Sequence, residues 1–301
     1  MMFKTETIDL ALSAGARRVL DFLELTKPRV VLMVLVTAFV GFYLGADSEE
    51  SLWRLVETLF GTALAAGGTL ALNQFLERDA DALMVRTRHR PLPDGRIQPT
   101  EALAFGVLLA SAGLLILAFA VNAVSALVAA SIMASYLFIY TPLKQKSAVC
   151  SVVGAVPGAL PPVIGWGAAR GELGAEAWVL FAILFLWQVP HTLAIARLWR
   201  DDFARAGIQF LPVVDVDGKS TGRQVICHCL ALLVVSLTPT LIGMAGVLYF
   251  FAALLLGVGF FAFGISLAVS FSLPAARRLL AASLVYLPVL LVVMALDRVS
   301  L

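Results

Sequence analysis

The chain has 301 residues, of which 60% are apolar and 14% charged, with a formal net charge of +2. An ordinary soluble domain carries about 25% charged residues, and a water-soluble fold of this length cannot hide so much apolar surface, so soluble enzymes, disordered chains, coiled coils and disulfide scaffolds are excluded. The charge is too mild for a nucleic-acid partner, and the class that remains is an all-α polytopic membrane protein.

Residues 1–29 are polar and partly amphipathic, from Ile8-Asp9-Leu10 to Phe22-Leu23. They show no cleavable signal pattern and are expected to lie on the membrane surface. Charge-free runs then mark the spans, at about 20 residues per crossing. Val30–Ala46 and Thr58–Leu76 give one helix each, and the 42-residue run Ala102–Leu143 gives two, broken near Val121-Asn122. Ser147–Ala169 gives a fifth, bent by Pro157, Pro161 and Pro162, with its irregular backbone turned toward protein or a cavity. Ala177–Ala196 gives the sixth. The 53-residue run Gln224–Ala276 gives two more, broken near Gly243–Gly246, and Leu279–Leu296 gives the ninth. Residues 30–301 therefore read as one nine-helix domain. The small-residue runs Ala65-Ala66-Gly67-Gly68 and Gly154/Gly158 read as close helix packing. Cys227-His228-Cys229 looks like a metal triplet, but no second ligand cluster accompanies it, and it reads as a helix end.

Basic residues test the helix count. With the N-terminus in the cytoplasm, 19 of the 22 Lys and Arg fall inside, and only Arg54, Arg170 and Arg298 fall outside. A wrong count would invert the later loops and destroy this bias, so nine spans with the N-terminus cytoplasmic and the C-terminus outside are expected.

Two inside loops are richer than topology requires. One follows the second span and holds Glu77, Asp79 and Asp81 among arginines; the other follows the sixth and holds Asp201 and Asp202. Acids beside a membrane are costly unless they are used. Asn73, Glu77 and Asp81 are spaced i, i+4, i+8, so a helix running through Asp81 puts them on one face. Spans two and six run in the same direction, so their acidic ends share one side of the bundle. Basic loops also follow spans four and eight, which suggests a 4+4 pseudo-repeat with a ninth span added. Carboxylates interleaved with Arg and Lys suit a magnesium–diphosphate pair. Mg²⁺ is usually held by one or two carboxylates plus substrate phosphates, while Arg and Lys neutralise the remaining charge. A salt-bridged loop with no ligand is the alternative on spacing alone.

Asn73-x-x-x-Glu77-x-Asp79-x-Asp81, followed by Met84-x-Arg86-Thr87-x-x-Arg90-Pro91, resembles the first acidic motif of the UbiA-type intramembrane prenyltransferases. Other stretches agree with the haem-farnesylating branch of that family. They are Leu25-Thr26-Lys27-Pro28-Arg29-Val30-Val31, Tyr140-Thr141-Pro142-Leu143-Lys144, Gly154 to Pro162, Gln188-Val189-Pro190-His191, and Asp202-Phe203-x-x-Ala206-Gly207 with Leu211-Pro212-Val213. The ordered set, from about Leu25 to Arg223, is what makes the resemblance specific.

The resemblance implies a Mg²⁺-dependent reaction. Farnesyl diphosphate ionises toward an allylic cation, the vinyl group of haem B attacks it, water is added, and haem O and diphosphate form. Haem B is a substrate here, not a cofactor. Matched residue by residue, Asn73, Glu77 and Asp81 fall on the first metal–diphosphate motif and Asp202 on the second, so Glu77, Asp81 and Asp202 are the metal candidates. Arg86, Arg90 and Lys144 are candidate diphosphate clamps. Asp201, inside the second motif, is a further substrate-binding candidate; Asp79 sits inside the first but points roughly 240° from Asn73 at 3.6 residues per turn. His191 is a candidate for ligating haem iron, orienting haem or activating water; tying helices together is its other reading. His228 stands between packing and haem contact. Tyr136, Tyr140, Trp166 and Trp187 read first as interface anchors, although aromatic faces also stabilise cations. The farnesyl tail needs an apolar groove open to membrane lipid, lined by helices the sequence does not identify.

The match has departures. Glu77 stands where many relatives carry Asp, Gln145-Lys146-Ser147 stands for Arg-Arg-Thr, and Phe203 stands for Tyr, so no phenol is available there. The N-terminal segment has no Arg/Ser-rich transit character, which favours a bacterial inner membrane with the site toward the cytoplasm. Hand-over of product to haem A synthase is left open. Two alternatives are a prenyltransferase with a quinone or chlorin acceptor and a small-molecule transporter. The stretches at spans one and five favour the haem branch, and acids gathered at one face rather than the midplane favour an enzyme.

Overall fold

The computed structural model describes residues 14–47 and 51–299. Lys4 and the Ile8-Asp9-Leu10 start of the amphipathic segment lie outside the described residues. Among those described, nine helices are long and apolar enough to cross a membrane. In order, the first to ninth spans are Pro28–Gly45, Leu52–Leu83, Pro99–Val121, Ala123–Leu143, Cys150–Arg170, Ala175–Leu198, Lys219–Leu241, Val247–Ser270 and Leu273–Leu296. No strand occurs among the described residues, only an isolated bridge between Ala245 and Arg298.

Local chemistry sets the breaks. Asn122 is extended and its side chain accepts from the Ser125 amide, capping the fourth span. The fifth span is three short helices, Cys150–Val153, Ala155–Ala159 and Pro161–Arg170, because its prolines lack the N–H that a continuous helix needs. Gly243, at φ 81°, turns the chain after the seventh span.

Two expectations shift. The turn between the eighth and ninth spans falls earlier than the charge-free run implies. Phe271 ends the eighth helix at φ 44°, and Ser272 caps the ninth through the Ala275 amide. Arg277 and Arg278 therefore lie within the ninth helix, because a cap followed by Pro274, not the first charge, starts it. Cys227, His228 and Cys229 lie in the middle of Lys219–Val235 rather than at a helix end; Cys227 is exposed and Cys229 buried.

The spans pack at close range. A Cβ on Gly165 would meet the Ala38 carbonyl at 1.9 Å, and one on Gly41 would meet the Pro162 carbonyl at 2.0 Å. The first and fifth spans thus touch backbone to backbone. Gly68 and Gly113 join the second and third in the same way. A continuous apolar core runs through the first span and the third to ninth. The N-terminal helix Ala14–Leu25 lies across one end. Its Phe22 and Leu25 pack with Ala71, Ile97 and Phe105, while Arg18 pairs with Glu101 and Arg96 with Asp21.

Candidate active site

The second span is one 32-residue helix that ends only at Leu83, so Asn73, Glu77 and Asp81 do share a face. Asn73 and Asp81 are buried. Asp79 points away, with 89% of its side chain exposed. The amide of Asn73 is oriented by its neighbours. Its Nδ2 donates to Thr141 Oγ1 at 3.1 Å, that hydroxyl donates to the Tyr136 carbonyl at 2.8 Å, and Asn73 Oδ1 faces Lys27 Nζ at 3.3 Å.

The second acidic segment closes onto the first. Asp202 sits buried on the short helix Arg200–Arg205. Its Oδ1 accepts from the Val85 amide at 3.3 Å and its Oδ2 from the Arg86 amide at 3.4 Å, and it pairs with Arg205. One carboxylate thereby joins segments 117 residues apart. Phe203 supports the junction. It meets Phe210 edge-on at 4.9 Å, belongs to a small core with Ala80 and Met84, and lies 5.9 Å below the Arg86 guanidinium. The Gln209 amide donates to the Lys144 carbonyl at 2.7 Å, which brings in the end of the fourth span.

Every gathered carboxylate has a cation. Lys144 Nζ is 2.6 Å from Glu77 Oε1, Arg90 Nη1 is 2.7 Å from Asp81 Oδ2, and Arg205 holds Asp202. Arg86 has no carboxylate partner among the described residues; its guanidinium lies over Phe203 and Trp199. Lys27 adds a fifth cation that sequence reasoning assigned no role. It caps the first span in the left-handed region, at φ 50° and ψ 66°, where a non-glycine residue before proline is strained by about 1 kcal/mol or more. Burial pushes its pKa down to about 7; the Arg90 charge adds to this and the Glu77 charge opposes it. Its place in the Thr26-Lys27-Pro28-Arg29 stretch was the available signal. The fold turns it toward Asn73, and nothing in the sequence states that turn.

Below this cluster lies an apolar cavity of about 240 Å³, lined by the first, second, fourth, fifth and sixth spans. Tyr136 and Tyr140 stand on its wall beside the charges, with Lys144 Nζ 4.4 Å from the Tyr140 ring centre. The anchor reading of these tyrosines is therefore corrected. Sequence position sets depth in a helix, and the π-helical stretch Ser135–Tyr140 decides which way they face. Trp166 is likewise buried, and Trp187 stacks on His191. Gly154 and Gly158 leave room for the Tyr140 ring and the Gln188 amide, so they shape the cavity rather than only join helices. Val30, on the lining, is 46% exposed.

Some candidates are not drawn in. Asp201 is exposed, on a different side of its short helix from buried Asp202, because adjacent helical residues diverge by about 100°. Lys146 is exposed. His191 lies in the sixth span about 10 Å before its end and bonds to Ser283, not to the charge cluster. Among the described residues no three His, Cys, Asp or Glu side chains form a metal-binding group by themselves. Asn73, Glu77, Asp81 and Asp202 bring hard oxygen donors to the same end of the bundle without forming such a group. Such a set fits Mg²⁺ that arrives with phosphate oxygens completing its shell.

The profile of the UbiA prenyltransferase family matches residues 34–287. The chain belongs to the UbiA prenyltransferase family. A protein of Solibacter usitatus named protoheme IX farnesyltransferase is 49% identical over 290 residues, covering 93% of this chain and 99% of the relative. One of the same name from Aquifex aeolicus is 39% identical, covering 95% and 98%. Among solved structures, a digeranylgeranylglyceryl phosphate synthase superposes with a TM-score of 0.79 at 15% identity, over 93% of this chain and 98% of that one. A UbiA homologue from Archaeoglobus fulgidus bound to GPP and Mg²⁺ gives 0.65 at 16%, over 91% and 99%. At such identities the structures speak for the fold alone.

Proposed function

We propose that this UbiA-family chain transfers the farnesyl group of farnesyl diphosphate to the vinyl group of haem B, with addition of water, giving haem O and diphosphate. The observation that carries the diphosphate site is Asp202 bonded to the Val85 and Arg86 amides, which assembles both acidic segments above one apolar cavity. The names borne by the similar proteins, at up to 49% identity over nearly their whole length, support haem as acceptor.

Lys144, Arg90, Arg86 and Lys27 receive the diphosphate. As its oxygens replace carboxylate partners on Lys144 and Arg90, Glu77 and Asp81 are released. Glu77, Asp81 and Asp202 would then hold Mg²⁺, beside the Asn73 carbonyl oxygen, and the bound ion supplies positive charge to the departing diphosphate. The farnesyl tail occupies the cavity, where the Tyr136 and Tyr140 rings offer π faces to the cationic carbon. The C1–O bond breaks and its electron pair leaves with diphosphate. C1 bonds to the terminal vinyl carbon, and water oxygen adds to the inner vinyl carbon and gives up a proton.

The basic bias of the loops supports a bacterial inner-membrane location with the charge cluster toward the cytoplasm, and hand-over of product to haem A synthase belongs to the same proposal. Expression in cells lacking haem O and haem A, followed by mass spectrometry of extracted haems, tests it. A hydroxyethylfarnesyl haem made by wild type and not by Asp81→Asn is expected. Haem B alone, with the protein present in the membrane, would point to another acceptor.

A further inference from the structure

Trp187, His191 and Ser283 form a polar group between the sixth and ninth spans that diphosphate handling does not use. His191 Nδ1 lies 2.7 Å from Ser283 Oγ. The Ser283 hydroxyl has one hydrogen, and it goes to the Leu280 carbonyl at 2.6 Å. The oxygen therefore accepts, and Nδ1 is the protonated ring nitrogen. Nε2 then carries the lone pair. It has no hydrogen-bond partner among the described residues, and it is absent from the polar atoms sealed in the interior without one.

The ring plane is fixed as well. The Trp187 ring stacks on the imidazole at 4.8 Å and 23°, and Trp187 Nε1 donates to the Ser283 carbonyl at 2.9 Å. Ser283 thus holds both rings, one through its hydroxyl and one through its backbone. Gln188, three residues before His191 and so on a neighbouring part of the same helix face, lines the cavity. A histidine that only joins two helices has no need of an Nε2 left without a partner. One nitrogen donating to a fixed oxygen while the other stands ready is the arrangement that orients a metal-ligating histidine.

We propose that Ser283 and Trp187 are positioning residues that hold His191 as its Nδ1–H tautomer, with Nε2 as axial ligand to the iron of the haem substrate. The inference rests on haem as acceptor. Ligation exchanges one iron ligand for another and moves no electrons; it holds the porphyrin while its vinyl group reacts.

The test is titration of the full-length protein in lipid nanodiscs with ferric haem, followed by visible absorption and resonance Raman spectra. Wild type is expected to show a saturable Soret shift with a histidine–iron signature. His191→Gly should lose that signature and regain it on addition of imidazole, while His228→Ala keeps it. Ser283→Ala should shift the iron–histidine frequency and weaken haem binding about tenfold. Farnesyl diphosphate binding is measured on each variant. A wild-type spectrum in His191→Gly overturns the ligand assignment while leaving haem as acceptor. Equal loss of haem and farnesyl diphosphate binding in both His191→Gly and Ser283→Ala overturns it in favour of a packing role. No saturable shift in wild type overturns the acceptor reading, and this inference with it.

Discussion

Both ends of the bundle carry polar side chains, but they are satisfied in different ways. At the end away from the acidic motifs, side chains bond chiefly to backbone, beside one ion pair of Arg170 with Asp47. Arg298 donates to the Tyr43 and Ala46 carbonyls, Asp297 accepts from the Tyr249 amide at 2.7 Å, and Asn122 donates to the Gly167 carbonyl. These contacts close helix termini that would otherwise hold unpaired groups. At the acidic end side chains bond chiefly to one another, as in Lys144–Glu77, Arg90–Asp81 and Lys27–Asn73. A backbone amide has no better partner to leave for, whereas a lysine paired with a carboxylate can transfer to a phosphate. One end is a fixed closure and the other is a set of pairs that a ligand can exchange.

The strongest way to break that contrast is to neutralise the acids. Glu77→Gln or Asp202→Asn should lower turnover at least about 100-fold, as for loss of a main electrostatic contributor to a transition state, with insertion into the membrane retained. Near-normal farnesyl diphosphate consumption by either variant would remove that residue from the site. Filling the cavity comes next. Gly158→Leu collides with Gln188 and should raise KM for farnesyl diphosphate about tenfold or more while diphosphate alone still binds; an unchanged KM would place the tail elsewhere. At the opposite end, Asp297→Ala should cost about 1 kcal/mol, as for loss of a helix cap. It should show as a lower unfolding midpoint with turnover per folded molecule unchanged.

Lys27 gives a smaller, pH-dependent effect. Its depressed pKa, about 7, means that it is charged below that pH and loses its proton as pH rises through it. Diphosphate favours the charged form, so affinity should be full on the acid side and decline on the alkaline side. Calorimetric titration across neutral pH checks this, and Lys27→Arg should flatten the decline because a guanidinium stays charged. The smallest effect is Asp79→Asn. With its side chain 89% exposed, turnover should stay within about twofold, as for surface changes.

Much of this was readable in the residues. Long apolar runs have only one stable form in lipid, so the nine helices and the breaks at Asn122, at the prolines and at Gly243 followed from hydropathy and backbone chemistry. The shared face of Asn73, Glu77 and Asp81 followed from helical spacing. The start of the ninth span did not, since Ser272 and Pro274 act inside a run that carries no charge. The roles of Tyr136, Tyr140 and Lys27 did not either. Facing in a membrane helix depends on which neighbour packs there, and periodicity is silent when every face is apolar.

The sequence by itself determined the class, the number of spans, their breaks and the residue types able to hold a metal and a diphosphate, because these depend on local hydropathy, spacing and donor chemistry. The tertiary structure decided which of those residues meet. It set Asp202 on the Val85 and Arg86 amides, swung Lys27 into the cluster, left Asp201 outside, opened the cavity beneath Tyr136 and Tyr140, and fastened His191 to Ser283. Each of these joins residues far apart in the chain, and a contact of that kind is fixed by how whole helices pack.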